Sequence, residues 1–98
     1  MRVINAKLLA EFILIYPEAR IPLDTWLEVA KQANWRHLFD IKTNWHRGTD
    51  DVDGKTVFNI GGNKYRLITT INYQRGIIKI YYVLTHEEYD QENWKNKN

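Results

Sequence analysis

The chain has 98 residues, 44% of them hydrophobic, with no cysteine and with 14 basic against 12 acidic side chains, a net charge of +2. That length suits one domain, expected over residues 1–98, and the lack of cysteine excludes disulfides and thiolate metal sites. The apolar run at residues 8–16 contains Glu11 and is far short of the ~20 residues that span a bilayer, so a cytoplasmic location without a membrane partner is expected.

Residues 1–4 read as a short strand. Asn5 stands where a helix N-cap would accept a backbone N–H bond, and Leu8, Leu9, Phe12, Ile13 and Tyr16 form one helical stripe. Leu14 and Ile15 widen that apolar surface beyond a stripe; a twisted sheet and the second helix cover it all, or, as the alternative, part of it meets a partner protein. Pro17 stops the helix. A second helix starts near Pro22, a residue suited to the first turn. It buries Leu23, Trp26, Leu27 and Ala30 and turns Asp24, Glu28, Lys31 and Gln32 to water. A short third helical piece covers residues 35–42, and residues 48–55 read as a polar loop.

From Thr56 the apolar period becomes two. Strands over residues 57–60, 64–73 and 77–84 are joined by tight turns at Gly61-Gly62-Asn63 and Gln74-Arg75-Gly76, and a last helical turn covers residues 86–93. The predicted class is α+β: an antiparallel sheet of three to four strands with two N-terminal helices packed on one face.

Alternation sets Tyr65, Leu67, Thr69 and Ile71 under the helices, with Ile78, Ile80, Tyr82 and Leu84. Lys64, Arg66, Ile68 and Thr70 then fall on an open face with Lys79, Tyr81 and Val83, unless a bulge shifts the register. Charge is segregated as well. Asp50, Asp51 and Asp53 precede, and Glu87, Glu88, Asp90 and Glu92 follow, a segment carrying Lys55, Lys64, Arg66, Arg75 and Lys79. Cations and a tyrosine on an open sheet suit a polyanion, with phosphates meeting the cations and bases stacking on rings. The same residues also make an ordinary solvated sheet face. The Asp50–Asp51–Asp53 spacing does not fit an EF-hand loop, and no carboxylate or histidine cluster stands out, so neither metal nor cofactor is expected. Trp26, Trp35, Trp45 and Trp94 read as packing residues.

Two short patterns go further. Val57-Phe58-Asn59-Ile60-Gly61-Gly62-Asn63 is followed by Arg66, and a hairpin later comes Thr85-His86-Glu87-Glu88-Tyr89-Asp90. Together with the two leading helices they resemble the HigB toxins. The resemblance implies a RelE-like fold and an endoribonuclease, or mRNA interferase, that cuts mRNA on the ribosome without a metal. It implies the toxin half of a type II toxin–antitoxin system, neutralised by a HigA-type antitoxin through which alone it meets operator DNA. A non-catalytic RNA- or protein-binding module with the same fold is the alternative.

Cleavage of this kind must deprotonate a 2′-hydroxyl, stabilise a phosphorane and protonate the 5′-oxygen. Given the resemblance, Arg66 is the first choice to clamp the phosphate, since a guanidinium matches two phosphate oxygens. His86 is the acid or base, because imidazole titrates near neutrality. Tyr89, three residues on, falls on the same side of a helical turn, as a proton donor, a stacking ring or a core anchor. Lys55 completes the catalytic set. Lys64, Lys79, Tyr81 and Asn59 are the RNA-binding candidates, although Asn59 also fits a strand end that completes its hairpin. His37 and His46 lie outside the two patterns.

Overall fold

In a computed structural model that describes residues 1–45 and 48–96, the chain runs β1 (Arg2–Ile4), α1 (Lys7–Ile15), α2 (Arg20–Gln32) and α3 (Leu38–Asn44). Then come β2 (Thr49–Val52), β3 (Lys55–Ile60), β4 (Tyr65–Asn72), β5 (Ile77–Thr85) and α4 (His86–Asp90). The five strands form one sheet in the order β1-β5-β4-β3-β2. β1 pairs parallel to β5 and the other neighbours pair antiparallel.

The mixed α+β class agrees with the sequence, but two expectations are corrected. The sheet is not wholly antiparallel, because β1 leaves through the helices and lies along the outer side of β5. It also has five strands, because residues 48–55 are not a loop. Asp53 and Gly54, both at positive φ (52° and 81°), make the two-residue turn that a tight hairpin needs, and β2 pairs with β3 from Thr49↔Phe58 to Val52↔Lys55.

α1 and α2 cover one face. Leu9, Phe12 and Ile13 of α1 and Leu23, Trp26 and Ala30 of α2 are buried against Phe58, Ile60, Leu67, Ile78 and Ile80. Rings carry much of this contact: Phe58 meets Trp26 edge-on at 5.2 Å and Trp35 at 6.0 Å. Pro17 does end α1, and it opens a 3-10 turn that leads into α2 two residues before Pro22. The third helix falls later than expected, at Leu38–Asn44. Asn5 is not an N-cap. It adopts φ 69°, its side-chain amide donates to the Ile80 carbonyl at 3.2 Å, and α1 starts after Ala6 without a side-chain cap. Leu14 and Ile15 stay exposed, at 82% and 72%.

The other face departs furthest from simple alternation. The pairing slips between Ile68↔Tyr82 and Thr69↔Ile80, which leaves Tyr81 as the extra residue of a bulge in β5. Beyond it the faces exchange. Val83 joins the helix-side core, whereas Tyr82 and Leu84 pack on the opposite face around Val57, Ile68 and Trp94. That face is not open either, since the C-terminal segment lays Tyr89 and Trp94 across it. Among the described residues no helix is long and apolar enough to cross a membrane.

Candidate active site

The turn of residues 61–64 joins β3 to β4, with Gly61 and Gly62 at positive φ (63° and 72°). β5 ends beside it, at Tyr65↔Thr85, and α4 starts there. Thr85 caps α4 reciprocally: its hydroxyl accepts the Glu88 N–H at 3.1 Å while the Glu88 carboxylate accepts the Thr85 N–H at 2.9 Å. The His86 N–H donates to the Lys64 carbonyl at 2.8 Å, which ties the helix to the turn.

His86 Nδ1 donates to the Asp90 carboxylate at 2.9 Å, with both side chains partly exposed. That bond fixes the ring and leaves Nε2 to accept a proton. Asp90 is a residue that sequence reading did not single out; the signal was its i+4 spacing from His86 on one helical turn.

Arg66 departs from expectation. It points from β4 toward this end of the sheet, but it is only 7% exposed. Its guanidinium donates to the carbonyls of Tyr65 (3.0 Å) and Asn63 (3.3 Å) and to the Asn63 side-chain oxygen (2.6 Å). Over it lies the Tyr89 ring, 5.4 Å away, itself stacked on Trp94 at 5.2 Å. Trp94 Nε1 donates to the Tyr89 carbonyl at 3.1 Å. Burial raises the pKa of the Tyr89 hydroxyl, and Asp50 adds to this while Arg66 opposes it. Tyr89 therefore keeps its proton at neutral pH, and its ring packs between Arg66 and Trp94.

Asn59 pairs across the strands with Arg66 and is half-buried. Its main chain is spent on the Gly48 carbonyl and the Trp45 indole. Lys64 is exposed in the turn. Lys55, Lys79 and Tyr81 do not join this group. Lys55 and Lys79 lie toward the far end of β3 and β5, and Tyr81 stands midway along β5; Lys55 is four positions from Asn59, about 13 Å at strand rise. His37 is exposed near Asp40, on the approach to α3, and His46 lies outside the described residues. Among the described residues, no group of three His, Cys, Asp or Glu side chains is placed to hold a metal.

The sequence pattern of HigB toxin, a RelE-like toxic component of a toxin–antitoxin system, matches residues 19–92. The chain belongs to the HigB toxin family. No curated protein matches it. The HigB span contains Asn59, Asn63, Lys64, Arg66, His86, Tyr89 and Asp90, and leaves out Trp94 as well as β1 and α1. Membership makes the chain a toxin whose partner is an antitoxin.

Proposed function

We propose that this HigB-family toxin is an endoribonuclease that cleaves mRNA at the 61–64 turn, on the ribosome, and is neutralised by a HigA-type antitoxin. The observation that carries the proposal is the meeting of the His86–Asp90 pair, Tyr89 and the Arg66 charge beside one exposed lysine, Lys64. His86 Nε2 takes the proton of the 2′-hydroxyl. The 2′-oxygen then attacks phosphorus, the bond to the 5′-oxygen breaks, and Tyr89 supplies the proton that oxygen needs. Lys64 meets the phosphorane charge directly. Arg66, held by the turn, supports it from beneath the Tyr89 ring and positions that ring.

Primer extension on a model mRNA, with and without ribosomes, tests this. Cleavage by the wild type and a loss of about 100-fold or more in His86→Ala are expected. Binding without any cut, together with no growth arrest on induced expression, favours the non-catalytic module instead. Residual cleavage in a ribosome-free reaction is expected to survive EDTA; loss to EDTA and rescue by a divalent ion would replace this mechanism with a metal-dependent one.

The same reading assigns the antitoxin to the outer surface of the two N-terminal helices. Leu14, Ile15 and Ile21 are exposed at 72–82%, and a groove of about 300 Å³ lined by Leu9, Ile13, Leu14 and Leu27 runs between α1 and α2. Apolar area of this kind fits a protein partner rather than RNA.

A further inference from the structure

A second set of cations lies on the sheet face that carries Arg66. The pairing Thr56↔Thr69 continues by one residue to set Lys55 opposite Thr70, and Thr70 pairs with Lys79. Lys55, Thr70 and Lys79 therefore form one row across three strands, with side chains on one face. Lys55 is only 7% exposed, yet its ammonium has no hydrogen bond or ion pair among the described residues. Asp50, opposite Val57 on the same face, Asp51, opposite Thr56, and Asp53, two residues before Lys55, do not pair with it. Its stem is covered, whereas the ammonium is not among the buried unpaired atoms and reaches water. An anion arriving at the row finds that charge already held in place and without a protein partner.

Tyr81 adds the other half of a nucleotide's chemistry. It stands two residues on from Lys79 in β5, on the same side of the strand, and the Lys79 ammonium lies 5.1 Å from its ring centroid. A cation pair next to a half-exposed aromatic ring matches a phosphate followed by a base.

We propose that Lys55, Thr70 and Lys79 bind a phosphate of single-stranded RNA flanking the cleavage position, with Tyr81 stacking on the adjoining base. This rests on the ribonuclease reading above and extends its substrate from one phosphodiester to a longer strand. The span of about 13 Å between the Arg66 row and the Lys55 row exceeds one nucleotide step, so a dinucleotide reaches only one of them.

The test titrates 2′-O-methyl oligonucleotides, which cannot be cut, into the full chain and its variants, reading amide NMR shifts over a range of salt. Wild type is expected to bind a hexanucleotide at least tenfold more tightly than a dinucleotide. Lys55→Met is expected to remove most of that length advantage and to lower the log–log salt slope for the hexanucleotide by about 0.7, one lost single-strand contact. Lys79→Ala, at an exposed position, gives the same readout if Lys55→Met does not fold. An unchanged slope and length advantage in a folded variant, while wild type still cuts mRNA, overturns this site and leaves the ribonuclease reading standing. That outcome also applies if the row faces an acidic protein instead. A wild type that neither binds the hexanucleotide nor cuts mRNA overturns both.

Discussion

The two faces of the sheet are closed by different means. Under the helices, Trp26, Leu23, Phe58, Ile60, Leu67, Ile78 and Ile80 are fully buried, and the one polar side-chain group of these seven, the Trp26 indole N–H, has no hydrogen-bond partner among the described residues. On the opposite face, Val57, Ile68 and Trp94 form a small cluster, and Arg66, Asn59, Lys55 and Lys79 surround it. Two helices seal the first face, whereas one short C-terminal segment covers the second. The first face holds the fold; the second keeps cations beside apolar cover, where their charge is screened less by water. The largest expected effect tests the first half of this contrast. Phe58→Ala should cost about 3–5 kcal/mol in urea unfolding, because two indole rings lose their contact at once. A loss below about 1 kcal/mol would mean that the helix-side face can collapse around the hole and that the contrast is false.

Arg66→Ala tests the second half. Removing a transition-state cation typically costs about 100–1,000-fold in rate, so loss of toxicity is expected. Stability should fall as well, by about 1–3 kcal/mol, because the Asn63 and Tyr65 carbonyls lose their donor. Arg66→Lys restores charge without the fork and should recover little of either. Full activity with lowered stability would reduce Arg66 to a turn brace.

These differences also mark where the sequence stops being readable. The helices and strands that build the core were legible from periodicity, since each has one buried face. β2 was not, because Thr49-Asp50-Asp51-Val52 is polar and lies on an edge; the Asp53-Gly54 pair was the signal overlooked. The face exchange at Tyr81 leaves no trace in alternation, since Tyr82, Val83 and Leu84 are apolar enough for either side. Asn5 has N-cap chemistry but spends its amide across the sheet on Ile80. At the candidate site, the placing of His86 and Tyr89 on one helical turn was legible from their spacing. Arg66 looked exposed because strand parity says nothing about a C-terminal segment folding back over it.

Smaller effects sharpen the role of that segment. Thr85→Ala removes one side of the α4 cap and should cost about 1 kcal/mol, with amide exchange rising in α4 before the rest of the sheet. Tyr89→Phe keeps the stack on Trp94 but removes the hydroxyl. Because burial raises the Tyr89 pKa, its neutral form contributes stability below the ordinary tyrosine value that is lost as pH rises through the raised one. Tyr89→Phe should therefore soften the alkaline loss of stability above about pH 10 and, through the missing proton donor, slow cleavage at neutral pH. An unchanged alkaline limb would place the Tyr89 hydroxyl in water.

The smallest expected change in stability is on the outside of the helical layer. Ile15 ends α1 with 72% of its surface exposed, so Ile15→Asp removes almost no buried area and should move the unfolding midpoint by no more than about 0.5 kcal/mol. Its effect on the antitoxin should be larger. An apolar contact that is desolvated in the complex contributes about 1.5–3 kcal/mol per leucine-sized side chain, and most interface substitutions act on dissociation. Surface-binding kinetics on an Arg66→Ala background, where the toxin can be produced, should show faster dissociation for Ile15→Asp. Lys64→Glu, on the site side of the molecule, should instead slow association and make it less salt-sensitive, because exposed charges steer encounter. The two variants thus separate the covered helices from the charged face by kinetics alone. Wild-type dissociation in Ile15→Asp, with the fold intact, would take the antitoxin off this surface and leave the apolar end of α1 without a partner.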